Sequence, residues 1–497
     1  MSTAPKLQRF ILMPPRGLTA NASPASTHLS GFMEALTVAP AGAAALRASP
    51  GTKASMRVLD SIHEDGLKLV EMSQASRNAL RETHPGLRVV PEVFYEIARA
   101  PRPAIAARVR TRAGVLATGV TLKLVSSVGA APVKGADVVA FTDFAGRIGA
   151  GGKTRADGTV TLNLGATAKI ERLYVYPHAG FWPLLKKNFS LPVSAPIKLK
   201  AIDLGAVDVL QFMRKSASGN DGASVRVGII DTGSGPHPDL SIAGGFNAVL
   251  GESETDFLDN GDQHGTHVAG IVGARGTAPA GMRGFAPKVE LFSYRVFGKG
   301  QNASNFAIAK AIDRAVADGC DLINMSLGGG PSDPAISGEI ADARAAGVAV
   351  ICASGNDGLA EVSQPGADAR ALAVGAFGRK GSFPTGTATA DAVGKSGSPD
   401  KNFFMANFSN SGPEIDFAGP GVGVVSTVPT DGHAVMDGTS MACPAVTGMM
   451  ARLLSANTAV RNMPRNQARS DEILKLAFLA AKTLGFGPNF EGSGWIK

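Results

Sequence analysis

The chain has 497 residues, with 49 Lys and Arg against 41 Asp and Glu, 44% apolar and 6% aromatic content, 61 glycines and three cysteines. A chain of this length exceeds one typical core, so two or three domains are expected; no apolar run is long enough to suggest a membrane span. Three cysteines (Cys320, Cys352 and Cys443) cannot all pair within one chain, and each sits among small or apolar residues as buried thiols do, so disulfides are not required.

The amino terminus offers one short apolar run, Phe10-Ile-Leu-Met13, before Pro14 and Pro15. That falls short of a signal-peptide core, so the reading is a cytoplasmic protein or one exported by a non-standard route. Residues 1–97 read as a small α+β domain: an extended start over Leu7–Met13, an Ala-, Gly- and Pro-rich middle, and an amphipathic stretch ending in Arg88–Tyr95. Residues 103–200 change character. Val115–Val125, Ala136–Thr142 and Gly158–Leu164 are short runs rich in β-branched residues separated by Gly and Asp turns, which predicts an antiparallel β-sandwich. From 205 to 497, helical and strand patterns alternate: 306–318 before 321–326, and 338–346 before 348–353. Alternation of this kind predicts a parallel α/β sheet with right-handed crossovers. Residues 378–404, rich in Gly, Ser, Thr and Lys, read as a surface loop, and Gly419–Gly423 as a turn rather than a nucleotide loop.

Charge is unevenly divided. Residues 1–200 hold 26 basic and 12 acidic side chains, a net +14, whereas residues 201–497 hold 23 and 29, a net −6. Most of the excess lies in residues 101–200, with 15 basic against four acidic. The basic residues are scattered and lack interleaved aromatics, so no nucleic-acid partner is expected. Attraction to the acidic region or a solvated basic surface accounts for them.

Three distant segments carry an acid, an imidazole and a hydroxyl in the order Asp, His, Ser: Asp231-Thr-Gly233, His264-Gly-Thr-His267-Val-Ala-Gly270 and Gly438-Thr-Ser440-Met-Ala442. A serine hydroxyl is a poor nucleophile at neutral pH and needs a neutral imidazole to take its proton; a carboxylate then holds the imidazole's tautomer. Asp231 follows the apolar run Val225–Ile230, a candidate buried strand, and so would project from its carboxyl end, where sites in parallel sheets lie. Ser440 opens an apolar helix, whose dipole and N–H groups favour a developing oxyanion. Singly, each residue has a plainer reading: Asp231 as a turn acid, Asn356 as a left-handed turn residue, Ser440 as an N-cap. His264 and His267, spaced i, i+3, could ligate a metal, but Gly265 stands where the zinc-protease motif has glutamate. The conjunction favours acyl-transfer chemistry.

Each motif also carries the small residues around the same groups in subtilisin-like serine proteases (subtilases), which residues 205–497 resemble. The resemblance implies Asp231, His264 and Ser440 as catalytic residues and Asn356, in Val350–Gly358, as oxyanion donor. It implies Ser326, Leu327, Gly328 and Gly329 as the strand that pairs with the substrate backbone. It also implies that residues 1–97 are an inhibitory propeptide whose last segment enters the cleft, with Arg88–Tyr95 the stretch suited to it. The sandwich resembles modules that accompany secreted bacterial peptidases. The implied protein is a serine endopeptidase made as a precursor, acting on proteins or peptides, with its own N-terminal region as inhibitor and no membrane partner. A ligase resolving the same acyl-enzyme with an amine, and a non-catalytic peptide-binding protein, are the alternatives.

Two departures stand out. Ala445 follows Pro444 where the family has histidine; that residue is not in the triad. Asp239 matches an acid that ligates calcium in many subtilases, but the facing loop, Arg275-Gly-Thr-Ala-Pro-Ala-Gly281, has no Asn or Asp to complete the site. No cofactor or catalytic metal is required, and a structural calcium is not expected there.

Overall fold

A computed structural model describes residues 6–14, 29, 31–38, 47–48, 54–108, 119–165, 169–193, 195–214 and 220–497. Most of the Ala-, Gly- and Pro-rich middle of the N-terminal region, and residues 115–118 of the first expected sandwich strand, lie outside the described residues.

The N-terminal unit is a five-stranded sheet of β1 (Leu7–Met13), β2 (Arg47–Ala48), β3 (Ser55–Ser61), β4 (Lys68–Ser73) and β5 (Arg88–Pro91), ordered β2-β3-β4-β1-β5 and antiparallel throughout. Helix α1 (Gln74–Thr83) follows β4 directly because the Ser73 hydroxyl accepts the Ser76 N–H at 3.1 Å and caps its first turn. The unbroken apolar run of β1 reflects burial of both sheet faces. Phe10 and Leu12 pack with Met56, Val70, Met72 and Leu80 on the α1 side. Ile11 and Met13 pack on the other side with Leu69 and with Phe306, Ala309 and Ala335 from far along the chain.

After β6 (Phe94–Ile97), which belongs to the site described below, come β7 (Ala107–Arg108), β8 (Gly119–Ser126), β9 (Asp137–Asp143), β10 (Ile148–Lys153), β11 (Thr159–Asn163), β12 (Lys169–Tyr176), β13 (Leu184–Ser190) and β14 (Ile197–Leu199). They form two sheets, β13-β12-β9-β10-β7 and β11-β8-β14. Alternate residues of both, among them Leu122, Leu124, Val138, Ala140, Val160 and Leu173, share one core.

The third unit is α/β. Its elements include α2 (Val209–Met213), β15 (Arg226–Asp231), β16 (Ile242–Asn247), α3 (His264–Gly273), β17 (Glu290–Arg295), β18 (Ala303–Ser304), α4 (Asn305–Ala317), β19 (Leu322–Met325), β20 (Leu327–Gly328), α5 (Pro334–Ala345), β21 (Ala349–Ala353), β22 (Leu372–Arg379), β23 (Val393–Ser396), β24 (Phe403–Ala406), β25 (Ile415–Pro420), β26 (Val424–Val428), β27 (Gly432–Met436) and α6 (Thr439–Ala456). The main sheet runs β16-β17-β15-β19-β21-β22-β24-β23, with β25 also on β22. Its pairings are parallel from β16 to β22 and on to β25, and antiparallel only where β24 and β23 join. The two neighbours of β15, β17 and β19, are reached on opposite sides, which leaves a crevice at its carboxyl end. Among the described residues, no helix is long and apolar enough to cross a membrane.

Two expectations from the sequence shift. Helix α5 starts at Pro334, four residues before the expected start at 338, because the Asp333 carboxylate caps it, accepting the N–H groups of Ala335 (2.9 Å) and Ile336 (3.1 Å), with Pro334 in the first turn. The segment 378–404 is more than a surface loop. It extends the main sheet through β23 and β24, buries Thr387 and Thr389, and hydrogen-bonds the second unit through Leu185 N–H to Gly386 O (2.9 Å) and Ala388 N–H to Pro183 O (3.0 Å). Its polar composition hid this because its partners, β22 in the main sheet and residues 183–185 of the second unit, are distant in sequence or belong to another unit.

Candidate active site

Asp231 ends β15 and His264 opens α3, and His264 Nδ1 lies 2.8 Å from Asp231 Oδ1 with both side chains fully buried. A carboxylate only accepts, so Nδ1 carries the proton and Nε2 is left as the basic nitrogen. The Thr232 N–H donates to Asp231 Oδ1 at 2.7 Å and fixes the carboxylate. A Cβ at position 265 would lie 2.2 Å from Gly233 O, so only glycine lets α3 seat against the turn after β15. Gln263, directly before His264, holds the left-handed conformation at φ 77°. The Asp259 carboxylate sustains it, accepting from Gly261 N–H (2.8 Å), Gln263 N–H (3.2 Å) and Thr266 Oγ1 (2.9 Å).

Ser440 stands in the first turn of α6. Its Oγ lies 2.6 Å from the Ala98 carbonyl oxygen and 2.9 Å from that of Ser326, while its N–H donates to Ala98 O at 3.3 Å. His264 Nε2 is buried with no hydrogen-bond partner. Asn356 Oδ1 accepts the Thr439 N–H at 2.8 Å, which turns its Nδ2 away, buried and unpartnered, beside the start of α6.

What covers these groups is the chain itself. Strand β6 lies between β18 and β20, antiparallel to both, with Phe94 opposite Ser304, Tyr95 opposite Ala303, Glu96 opposite Gly328 and Ile97 opposite Leu327. The Ala98 N–H then donates to Ser326 O at 3.2 Å and the Ala100 N–H to Asp437 O at 3.0 Å, so the Ala98–Arg99 peptide bond passes over Ser440. A Cβ at position 438 would come within 2.8 Å of Ala98 O, so glycine there admits the threaded backbone. Gly329 lies just beyond the paired residues, turning the chain at φ 92°. Tyr95 is buried against Gly330, where a Cβ would sit 2.4 Å from its ring, and its hydroxyl donates to Pro331 O at 2.8 Å.

The cleft segment is therefore Phe94–Ala98, not Arg88–Tyr95. Arg88–Pro91 stays in the N-terminal sheet as β5 because β1 offers it a free edge. Asn305 fixes the crossing between the two: its Nδ2 donates to Pro91 O (3.1 Å) and its Oδ1 accepts the Val93 N–H (3.2 Å). Sequence reasoning also missed β18, a two-residue strand marked only by the Ser304 N-cap of α4, and Tyr95, whose anchoring role depends on a pocket formed 236 residues later.

His264 and His267 are engaged separately. His267 Nε2 faces Ala434 O at 3.1 Å, and burial, reinforced by His264, lowers its pKa to about 3, so it is a neutral packed ring. Asp239 gathers with His237 and His433. Its carboxylate already accepts the Met282 N–H at 2.8 Å and lies 3.4 Å from His433 Nε2, while Gly276 and Gly281 close on it without side-chain oxygens. His237 spends both ring nitrogens, accepting the Asp239 N–H at Nδ1 (3.0 Å) and facing Gly432 O from Nε2 (3.1 Å). Two imidazoles and one carboxylate are not the oxygen-rich shell that calcium takes. The three cysteines are free and buried.

Residues 222–484 match the subtilase family model. The chain is 36% identical over 255 residues to alkaline elastase YaB of Bacillus sp. (strain YaB), a match covering 50% of this chain and 61% of that protein. It is 35% identical over 257 residues to subtilisin Savinase of Lederbergia lenta (51% of this chain, 86% of that one) and 37% identical over 250 residues to subtilisin DY of Bacillus licheniformis (50% and 83%). The chain thus spans about three-fifths of the elastase and more than four-fifths of the two subtilisins. With the matched region covering more than half of the sequence, the chain belongs to the subtilase family of subtilisin-like serine proteases.

Proposed function

We propose that this protein is a serine endopeptidase made as a precursor, in which residues up to Ala98 inhibit the enzyme until the Ala98–Arg99 bond is cut. The observation that carries the reading is the main chain of residues 94–100 lying antiparallel between β18 and β20 with its 98–99 peptide bond at Ser440. Ser440 Oγ, after rotation toward His264, attacks the carbonyl carbon and passes its proton to Nε2; Asp231 stabilises the imidazolium. The oxyanion takes hydrogen bonds from the Ser440 N–H and Asn356 Nδ2. Collapse breaks the C–N bond, the amine of Arg99 leaves with the proton from Nε2, and water, activated by the same imidazole, hydrolyses the ester on Ser440. Peptide substrates take the place of β6, paired through Ser326, Leu327 and Gly328, with Gly329 turning the chain out of their way. No metal or cofactor enters any step.

The N-terminal unit is suited to inhibit because it docks away from the chemistry as well. Its sheet packs on Phe306, Ala309 and Ala335, Lys310 Nζ pairs with the Asp60 carboxylate at 2.9 Å, and His63 Nε2 lies 2.9 Å from Asp313 Oδ1. Intact mass and N-terminal sequencing of the wild type beside Ser440→Ala test the reading. The wild type should yield a species beginning Arg99-Ala-Pro, while the variant stays whole. A wild type that neither cuts there nor hydrolyses any peptide would overturn it.

A further inference from the structure

Between the cleft and the second unit lies a cavity of ≈ 160 Å³ that neither unit forms alone. One wall is Tyr174, Tyr176 and Pro177, at the end of β12; the other is Phe408, Met436 and Asp437 of the peptidase unit, and residues 99–103 run through it. It therefore lies on the leaving-group side of Ser440.

The two walls are joined independently of the N-terminal unit. The Tyr174 hydroxyl donates to Asp391 Oδ2 at 2.8 Å, Lys187 and Arg172 approach the same carboxylate at 3.4 and 3.8 Å, and the Gly180 N–H donates to His433 O at 2.8 Å. With the 183–388 and 185–386 main-chain bonds, these contacts involve no residue before Ala98. Cutting the Ala98–Arg99 bond breaks none of them. Beyond the groove, the chain after the cut is anchored on the second unit by Ile105, which packs against Phe141 and Tyr174, and by Ala106, whose N–H donates to Arg147 O at 3.0 Å, so residues 99–104 form a tether that can leave the groove.

The tether shows what the groove accepts. Arg99, the residue after the scissile bond, pairs its guanidinium with the Asp262 carboxylate and also reaches the Asp262 carbonyl at 3.4 Å. Asp262 lies two residues before His264, in the same loop that positions it. The Ala100 N–H is held by Asp437 O, and Arg102, the fourth residue after the bond, stacks its guanidinium 4.4 Å from the centre of the Tyr176 ring. Tyr174 lies parallel to that ring, with 3° between planes and 6.1 Å between centroids, and backs it. Asp437 lines the same cavity, its carboxylate held by the Gly423 N–H at 2.6 Å. An acid at the first position and an aromatic face at the fourth are chemistries for guanidinium or ammonium groups.

Building on the endopeptidase reading above, we propose that the β-sandwich is a lasting part of the enzyme's substrate site, and that this composite groove selects peptides with a basic residue at the first and fourth positions after the cut bond. Asp262 serves the first position and Tyr176 the fourth.

The processed wild-type protein would be assayed with quenched fluorescent peptides of eight residues sharing Tyr-Glu-Ile-Ala before the bond. After it they would carry Arg-Ala-Pro-Arg, or the same with alanine at the first, fourth or both positions. Each arginine should raise kcat/KM by roughly 2- to 5-fold, the scale of one partly exposed ion pair or cation–π contact. Asp262→Asn should abolish the preference at the first position while keeping that at the fourth, and Tyr176→Ala should do the reverse. A lysine peptide should recover most of the first-position preference and less of the fourth, since ammonium stacks less well. Equal rates on all four peptides would overturn this inference and leave the endopeptidase reading standing. Loss of both preferences in either single variant would show a structural effect and overturn the assignment of separate positions. Hydrolysis of none of the peptides would overturn both readings.

Discussion

Ser440 Oγ and the carbonyl oxygen of Ala98, 342 residues apart in sequence, lie 2.6 Å from each other, and the Ser440 N–H points at the same oxygen from 3.3 Å. The protein holds one of its own peptide bonds against Ser440, and the first expectations follow from that contact and the proposed function.

Ser440→Ala and His264→Ala should each leave the Ala98–Arg99 bond intact and remove nearly all hydrolysis of added peptide. The two groups act on one proton, so the double variant should fall little further than either single one. Mass spectrometry of the purified proteins and peptide turnover report both effects; near-wild-type turnover in either variant would contradict the assignment.

Asn356→Ala should lower kcat by roughly 10²- to 10³-fold with little change in KM, because its Nδ2 donates to a charge present only in the transition state. The Thr439 N–H loses its acceptor in this variant as well, so the thermal midpoint is measured beside the rate. Asn356→Asp separates the two, since it keeps the acceptor for Thr439 and lacks the donor; it should be as slow as the alanine variant.

Tyr95→Ala should weaken inhibition by the cut N-terminal fragment. The side chain is 1% exposed and donates a hydrogen bond to Pro331 O. Losing its burial costs on the order of 2–3 kcal/mol, or about 30- to 150-fold in the inhibition constant. Titration of processed enzyme with the wild-type and variant fragments measures it, and Phe at this position should recover most of the loss.

Docking of the N-terminal unit should weaken as pH rises. The hydrogen bond to Asp313, with the charges of Asp313, Glu339 and Asp65, raises the His63 pKa above its ordinary 6.5. A group whose pKa is raised in the docked state contributes its full stabilisation below the free value and loses it as pH rises through the docked value. The ring is well exposed, so the effect is small, roughly two- to threefold in the release rate of the cut fragment between pH 5.5 and 8.5. In His63→Gln that part of the pH dependence should vanish, as followed by recovery of activity after processing.

Activity should persist in EDTA at moderate temperature, since the carboxylate of Asp239 is served by the Met282 N–H and His433. Prompt loss on chelation, restored by zinc alone, would return attention to the histidine pairs; loss only on heating would indicate a structural ion elsewhere.

The contacts between the basic residues 1–200 and the acidic residues 201–497 differ in polarity from one interface to the other. At the docking face of the N-terminal unit both polarities occur, with Asp60 facing Lys310 of the peptidase unit and His63 facing Asp313. The expected polarity occurs in the sandwich, where Lys187 and Arg172 face Asp391. Salt should therefore affect the sandwich interface more than the inhibitory one.

Much was legible in the sequence because it is local. The apolar run ending in Asp231, the glycine-flanked His264 and the small-residue helix start at Ser440 each encode a strand end or helix start, and the spacing of apolar residues sets the alternation of the α/β unit. What the sequence could not decide was which extended segment enters the cleft. Arg88–Pro91 and Phe94–Ile97 have similar β-forming composition, and the choice between them depends on which free strand edge each meets: β1 for the first, β18 and β20 for the second. The same holds for residues 378–404, whose polar composition reads as a loop until β22 of the main sheet and β12 and β13 of the sandwich supply its partners. Hydrogen-bonding edges and buried faces are satisfied by residues hundreds of positions apart, so only the assembled structure assigns them.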